Sequence, residues 1–202
     1  MARHLERFGV DGILVNDPEA RGDLLASALA NITGVIEIVP GAQSVLLRFP
    51  DWSAARAARS AIEAADLPPA IPTGGAIIEI PVRYDGMDLS EVAAACGLTR
   101  NQVIDQHCSA VFTVAFCGFT PGFAYLAGLP TELRVPRLPS PRTHVPAGSV
   151  AIADAYCGIY PRATPGGWRI IGHSSAVLFD ERRQPPALLT PGMRVTFVPG
   201  RA

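Results

Sequence analysis

Four arginines in the second half of the chain are the first side chains that could bind a ligand. Arg137 and Arg142 flank a proline-rich turn, and Arg162 and Arg169 follow close to a Thr-Pro-Gly-Gly-Trp segment. A guanidinium group can donate two parallel hydrogen bonds to one carboxylate, so a pair of these arginines would suit a carboxylated ligand. The alternative, and the default for any single one, is a solvated surface arginine.

The segment GFTPGFAYLAGLP, residues 118–130, sets three aromatic rings on a chain that is rich in glycine and proline. These residues can hold a loop in one conformation, so Phe119, Phe123 and Tyr125 would project from a preformed surface. Such a surface suits a ligand groove or a protein-binding hot spot. The alternative is that the rings plug a β-barrel. We expect Phe119 in the core and Tyr125 at the solvent, because its hydroxyl needs a partner.

Hydroxyl and imidazole groups are present, but their spacing favours structural roles. Ser149 or Thr164 could act as a nucleophile only with a base and an orienting acid. His144 lies five residues before Ser149, and the sequence has no GxSxG elbow. Turn and cap roles explain both hydroxyls better. His107, at the end of a predicted helix, is also expected to be structural.

Several chemistries are excluded by residues that the sequence lacks. All 17 basic residues are arginine, so neither a Schiff-base lysine nor a P-loop lysine is available. No GxGxxG segment follows a predicted strand. The four cysteines form no CxxC pair and no zinc-ligand spacing, so we expect packed, reduced thiols and no metal. If the reaction uses ATP, another chain is expected to bind it.

The N-terminal part of the chain predicts a small α+β domain. A strand ending at residue 15 precedes apolar positions at helical spacing in residues 19–32. Two strands, 35–39 and 44–49, are followed by an alanine-rich helix with Asp51 as its cap. The order strand, helix, strand, strand, helix is that of a sandwich with both helices on one face of an antiparallel sheet.

A linker separates this region from the rest of the chain. Residues 66–75, DLPPAIPTGG, hold three prolines and two glycines, a composition typical of domain boundaries. We therefore predict an N-terminal domain of residues 1–70 and a second domain of residues 76–202.

The second domain is predicted to begin with a strand and two helices. Asp88 caps the first helix, with a glutamate three residues later, and Thr99 caps the second. Two helices joined by a glycine-containing turn resemble a DNA-binding helix-turn-helix. The second helix carries only Arg100, at its start, and also offers Asp105. Packing of a helical hairpin against a barrel is the better interpretation.

Most of the remaining chain is predicted to be β-structure. Residues 118–172 contain eight glycines and eight prolines, which separate short apolar segments. Many short strands with glycine and proline between them favour a β-barrel or sandwich. The strand candidates are AVFTVAF, SVAIA, GIY, WRIIG, AVLFD (176–180) and RVTFVP.

Composition excludes several classes of protein. The chain has 202 residues, 49% of them hydrophobic and 17% charged, with a formal net charge of -1. It is long enough to bury a core and too apolar to be disordered. Without a basic surface it is not expected to bind nucleic acid. We see no apolar run of about 18–20 residues that could span a bilayer and no signal-peptide core, so we expect no membrane contact and a cytoplasmic location.

Three blocks of motifs carry a resemblance to a known bacterial family. They are GFTPGFAYLAGLP, PRLPSPRTHVPAGSVAIADAYCGIYPRATPGGWRIIGHS and LLTPGMRVTFVPG. In this order they resemble the 5-oxoprolinase B-subunit proteins, also called Kip-type inhibitors of a sporulation kinase and allophanate hydrolase subunit 1. The resemblance covers nearly the whole chain. It implies an α+β protein with a small N-terminal α/β sandwich domain followed by a cyclophilin-like β-barrel.

The resemblance also implies where a substrate or partner would bind. Arg142 becomes the arginine that is most strongly expected to bind a ligand, because it lies inside the family's second block. No catalytic residue is assigned. The expected binding residues are Phe119, Pro121, Phe123, Tyr125, Arg137, Arg142, Ser149, Thr164, Gly166, Gly167 and Trp168.

The implied function is that of a subunit without activity of its own. The family implies ATP-dependent opening of 5-oxoproline to glutamate together with the A and C subunits of 5-oxoprolinase, of which the biotin-carboxylase-like C subunit would share a site with this chain. ATP is then expected on a partner subunit, and no cofactor on this chain. Inhibition of a histidine kinase through the same aromatic surface, or a role in an allophanate hydrolase, are the alternatives.

Overall fold

A computed structural model describes residues 3–18, 20–68 and 77–200. The chain divides into two compact units, residues 1–73 and 74–202. Most of the predicted linker, residues 69–75, lies outside the described residues, so the domain ends given above stay predictions. No helix in the described ranges has the length and apolar character that crossing a membrane would require.

The first unit is a four-stranded antiparallel sheet with two helices. The strands pair in the order β1-β2-β4-β3. Apolar side chains of both helices join one core cluster with Ile13, Val15, Val45 and Leu47, so both helices pack on the same face of the sheet, as predicted. The elements are β1 (His4–Phe8), β2 (Gly12–Asn16), α1 (Gly22–Ala28), β3 (Glu37–Pro40), β4 (Ser44–Arg48) and α2 (Trp52–Ala64).

Two details of this unit bear on the sequence predictions. The Asp51 side chain accepts a hydrogen bond from the Ala54 backbone N–H at 2.9 Å, so the predicted cap of α2 is confirmed. Strand β1 was not predicted. It lies at the edge of the sheet, and only Leu5 of its five residues is buried. An edge strand that contributes one core residue has too little apolar alternation to be recognised.

The second unit is built around a seven-stranded sheet. Its strand order is β12-β9-β10-β7-β6-β13-β5. An isolated bridge between Arg83, just after β5, and His173 of β12 brings the two edge strands together, so the sheet is a nearly closed barrel. The strands are β5 (Ile77–Val82), β6 (Phe112–Cys117), β7 (Ala124–Ala127), β8 (Arg142–Val145), β9 (Ser149–Ala153), β10 (Tyr156–Ile159), β11 (Thr164–Gly166), β12 (Arg169–His173) and β13 (Arg194–Pro199).

The two predicted helices of this unit are present as α3 (Leu89–Cys96) and α4 (Arg100–Ser109). The predicted Thr99 cap of α4 is confirmed, and Thr99 forms a capping box with Gln102, which was not predicted. Asp88 occupies the cap position of α3, but its side chain makes no capping hydrogen bond, so the predicted capped start is wrong in its chemistry. The carboxylate instead binds groups of the barrel, as described below.

The strands of the barrel present two different faces. Along β9, Val150 and Ile152 belong to the interior core, whereas Ala151 and Ala153 belong to a second cluster on the other face. The interior is filled by aliphatic residues together with Phe112 and Phe197. The two-stranded β8–β11 ladder adds Val145 to the second cluster. The barrel therefore carries a buried aromatic layer on its outer face.

One predicted strand is absent. Residues 176–180 form only an isolated bridge, between Phe179 and Ala187. Leu178 of this segment and Leu189 after it are buried in the barrel core, so the apolar pattern there reflects packing of a covering loop.

Candidate functional site

The loop that joins β6 to β7, residues 118–123, has one compact conformation. The Gly118 N–H donates to the Phe123 carbonyl at 3.2 Å, and the Phe123 N–H donates to the Thr120 carbonyl at 3.0 Å. Gly122 has a φ of +83°, and a β-carbon there would lie 2.7 Å from the Phe179 β-carbon. Glycine is required at this position both for the backbone angle and for the close approach.

The side chain of Phe119 is exposed to solvent, whereas that of Phe123 is buried. Phe123 is 2% exposed, whereas Phe119 is 61% exposed and has a φ of +68°. The prediction that Phe119 is a core residue is wrong, and so is the prediction that Tyr125 is the ring nearest to solvent, because Tyr125 is half-buried. A left-handed backbone is uncommon for a bulky residue and costs about 1–3 kcal/mol, a feature that concentrates at functional sites.

Below Phe119 lies a set of rings packed edge to face. The Phe123 centroid is 5.3 Å from that of Tyr160 and 5.6 Å from that of Trp168, with interplanar angles of 74° and 77°. Gly158 makes this packing possible, because a β-carbon there would lie 2.9 Å from Phe123 Cζ. The cluster lies on the outer face of the barrel, so these rings do not plug its interior.

The rings surround a small open hollow, which we call the aromatic hollow. It encloses about 90 Å³ of water-accessible space. It combines the β6–β7 loop, β7, the segment before β8, the segment after β10, β11 and the turn between β11 and β12. The lining residues are Phe119, Phe123, Tyr125, Arg137, Tyr160, Pro165, Gly166, Gly167 and Trp168.

Seven of the predicted binding residues therefore meet in one place. The two lining residues that were not predicted, Tyr160 and Pro165, both lie in the second motif block, and their neighbours in GIYPRATPGGW pointed to them. Four predicted residues do not line the hollow. Pro121 is exposed, Ser149 is buried in β9, and Thr164 begins β11 with a buried hydroxyl that has no hydrogen-bond partner among the described residues.

Arg142, the fourth, lies beside the hollow and is bound by two protein groups. Its Nη2 donates to Asp88 Oδ1 at 2.6 Å, and its Nη1 donates to the Trp168 carbonyl at 3.4 Å. The other Asp88 oxygen accepts the Ile170 backbone N–H at 2.7 Å. Asp88 is buried, so removing Arg142 would leave an unpaired carboxylate in the interior. Arg142 thus positions Trp168 and is not presented to the hollow.

Arg137, unlike Arg142, is mostly exposed and lines the hollow. Its side chain is 60% exposed, and its guanidinium lies over the Trp168 ring at 5.9 Å from the centroid. Its Nε lies 3.6 Å from Asp154 Oδ2, which is beyond hydrogen-bond distance. Among the residues that line the hollow, it is the one that carries a charge.

The two tyrosines of the hollow supply neutral hydroxyls. Burial raises the pKa of Tyr125, and the charge of Arg137 opposes this in part. Burial also raises the pKa of Tyr160, which a hydrogen bond with the Trp168 backbone and the charges of Arg137 and Arg142 oppose in part. Both hydroxyls stay protonated at neutral pH and can donate or accept a hydrogen bond. The hollow therefore offers aromatic walls, two hydroxyls and one cation, which suits binding and orientation of a small ligand.

A second polar constellation lies inside the barrel and is closed to ligands. Tyr84 Oη is 2.7 Å from His107 Nδ1, and His107 Nε2 is 3.3 Å from Cys157 Sγ. Burial lowers the pKa of His107 to about 3, which overrides the favourable effect of the helix end on a cation. The expected structural role of His107 agrees with its complete burial. Within the ranges that the structure covers, no three His, Cys, Asp or Glu side chains are grouped as metal ligands would be.

Comparison with known proteins gives the family. Residues 15–189 match the model described as carboxyltransferase domain, subdomain C and D. A protein of Escherichia coli O157:H7, named as the B subunit of 5-oxoprolinase, is 46% identical over 180 residues, which are 87% of this chain and 83% of that protein.

Two solved structures share the fold. The structure of TTHA0988 has a TM-score of 0.78 and 38% identity, and the match covers 96% of this chain and 41% of that one. The chain thus spans about two fifths of that protein. K. lactis urea amidolyase matches with a TM-score of 0.71 over 98% of this chain and 15% of its own length, at 21% identity, which shows a common fold. The family match and the E. coli relative show that the chain belongs to the 5-oxoprolinase B-subunit family, within the carboxyltransferase subdomain C and D proteins.

Proposed function

We propose that this chain is a subunit of an ATP-dependent 5-oxoprolinase and that it binds through the aromatic hollow. The observation that carries the proposal is the convergence of two of the motif blocks, residues 118–130 and 136–174, on that hollow, in a chain whose relatives are named as B subunits of 5-oxoprolinase. The residues at the hollow are suited to holding a ligand, and none of them forms a nucleophile–base pair.

The proposed reaction opens the ring amide of 5-oxoproline to give glutamate. This amide is unstrained, so its hydrolysis needs activation, which phosphoryl transfer from ATP can supply. This chain has no lysine and no nucleotide-binding motif. We therefore assign ATP to a partner, the biotin-carboxylase-like C subunit, with the A subunit as the third component. This chain would complete a site shared with the C subunit, and it would have no activity alone.

The test is reconstitution from separate chains. Glutamate release that depends on 5-oxoproline and ATP is measured with this chain and the A and C subunits together, and then with each chain omitted in turn. We expect activity only in the complete mixture. An unchanged rate without this chain would refute the proposed function.

One observation supports a second candidate function, the inhibition of a sensor histidine kinase. Phe119 is a large, exposed ring on a compact loop, and such residues commonly anchor protein–protein contacts. The candidate predicts that the chain lowers the autophosphorylation rate of a purified kinase and that Phe119→Ala abolishes this effect. Equal rates with and without the chain would eliminate it. The likeness to urea amidolyase concerns the fold alone and adds no argument for an allophanate hydrolase.

A further inference from the structure

The aromatic hollow contains one cation whose charge is only weakly neutralised by the protein. Arg137 and Asp154 are both mostly exposed, at 60% and 62%, and their charged atoms are 3.6 Å apart. Exposed pairs of this kind contribute little to stability. A ligand anion in the hollow can therefore replace Asp154 at little cost. Arg142 cannot be released in this way, because its partner Asp88 is buried.

The backbone around Arg137 is fixed although its side chain is mostly exposed. The Asp154 N–H donates to the Val135 carbonyl at 2.8 Å, and the Leu138 N–H donates to the Gly167 carbonyl at 2.7 Å. These hydrogen bonds tie the segment to the β9–β10 turn on one side and to the wall of the hollow on the other. The backbone of Arg137 is thus held at the rim, so a ligand that binds has to order only the side chain.

The walls of the hollow restrict what such an anion can be. They consist of ring carbons, Pro165 and the Gly166–Gly167 backbone, with the hydroxyls of Tyr125 and Tyr160 as polar points. The space is small, so a compact ring fits better than a long chain. With a single cation, the hollow suits one carboxylate on a small ring that also has hydrogen-bonding groups.

From these observations we infer that Arg137 binds the carboxylate of 5-oxoproline in the aromatic hollow. When the hollow is empty, the guanidinium pairs with Asp154 instead. The inference rests on the proposed function and deepens it by assigning substrate recognition to one residue. Arg142 is a positioning residue in this scheme, since it holds the Trp168 segment through the backbone. The lactam ring lies against the aromatic walls.

The test compares Arg137→Gln with Arg134→Gln in the reconstituted three-subunit enzyme. Arg134 is exposed on the same segment and does not line the hollow. Loss of a charge-assisted hydrogen bond should raise KM for 5-oxoproline about tenfold or more, with a smaller effect on kcat. Arg134→Gln should leave KM unchanged. Asp154→Asn frees the guanidinium and should lower KM by up to about fivefold, the limit for an exposed pair.

A ligand without the carboxylate separates charge recognition from general damage. The competitive inhibition constant of 5-oxoprolinamide should differ much less between wild type and Arg137→Gln than KM for 5-oxoproline does, because the amide makes no ion pair. A similar loss for 5-oxoproline and its amide would overturn the inference, since it would indicate a changed hollow.

The outcomes distinguish this inference from the proposed function. If omission of the chain abolishes turnover but Arg137→Gln leaves KM unchanged, the inference fails and the proposed function stands. If turnover does not depend on the chain, the proposed function itself fails. Weakened assembly of the Arg137→Gln complex with an unchanged KM would show that the hollow holds a side chain of another protein in the complex, which also overturns the inference.

Discussion

Phe119 combines an exposed ring with a left-handed backbone, and the two properties can be separated by mutation. At a φ of +68° a residue with a β-carbon is strained, whereas glycine is not. We predict that Phe119→Gly is more stable than Phe119→Ala by about 1 kcal/mol, although both variants lack the ring.

This difference can be measured through Trp168 fluorescence during urea unfolding. The chain has two tryptophans, so Trp52→Phe leaves Trp168 as the only reporter, and it reports on the second unit. A Phe119→Ala variant as stable as Phe119→Gly, or more so, would contradict the left-handed conformation.

For single residues, the sequence predicted which ones come together at the aromatic hollow, but not whether each side chain is buried or exposed. Phe119 and Phe123 are both phenylalanines in the same loop, and only the backbone angle at Phe119 sends its ring to solvent. The difference between Arg137 and Arg142 depends on Asp88, which lies 54 residues from Arg142 along the chain. No local pattern contains that partner.

Strand β10 is the element on which the aromatic layer depends. A β-carbon on Gly158 would lie 2.9 Å from Phe123 Cζ and 3.1 Å from Trp168 Cζ3, whereas one on Gly118 would meet nothing within 4 Å. Gly158→Ala should therefore destabilise the second unit by about 1–3 kcal/mol, the usual cost of overpacking. Gly118→Ala is the matched control and should change the urea midpoint little. Equal midpoints for the two variants would show that the ring packing is not as tight as described.

Helix α4 makes the stability of the second unit depend on pH through His107. Its folded-state pKa of about 3 lies below the ordinary value of 6.5, so the unfolded state binds the proton more readily. The neutral imidazole therefore contributes stability that is complete above about pH 6.5 and is lost progressively as the pH falls towards 3.

Urea unfolding at pH 7.5 and 5.0 tests this, because ordinary carboxyl groups titrate mostly below that range. Wild type should lose more unfolding free energy between these pH values than His107→Gln, which keeps an acceptor for Tyr84. The other three histidines are common to both proteins and cancel in the comparison. Parallel losses in the two proteins would rule out a neutral, buried His107.

Helices and strands were predicted correctly where one face is buried and the sequence therefore has a periodic apolar pattern. The prediction failed where that pattern is absent or has another cause. Helices α3 and α4 were recognised from their periodicity and caps. Strand β7 was missed because it lies in the 118–130 segment, which was interpreted as a loop. Strands β8 and β11 were missed because they lie in the glycine- and proline-rich region and, among the described strands, pair with each other. Residues 176–180 were assigned to a strand because a buried covering loop can have the same apolar pattern.

At the scale of the whole chain, the α+β class and the barrel-like second half followed from the sequence, and the family resemblance added the particular fold. The outer aromatic layer could not be predicted, because it requires knowing which face of each strand is covered. The central claim is that this layer forms the ligand-binding surface of a 5-oxoprolinase subunit.

The most direct test of this claim is kcat/KM for 5-oxoproline in the reconstituted enzyme carrying Phe119→Ala, compared with Val177→Ala. The two side chains are equally exposed, at 61% and 62%, and only Phe119 lines the aromatic hollow. Phe119→Ala should lower kcat/KM at least about tenfold, as loss of a hot-spot residue does, while Val177→Ala stays near wild type. Equal values for the two variants would contradict the account.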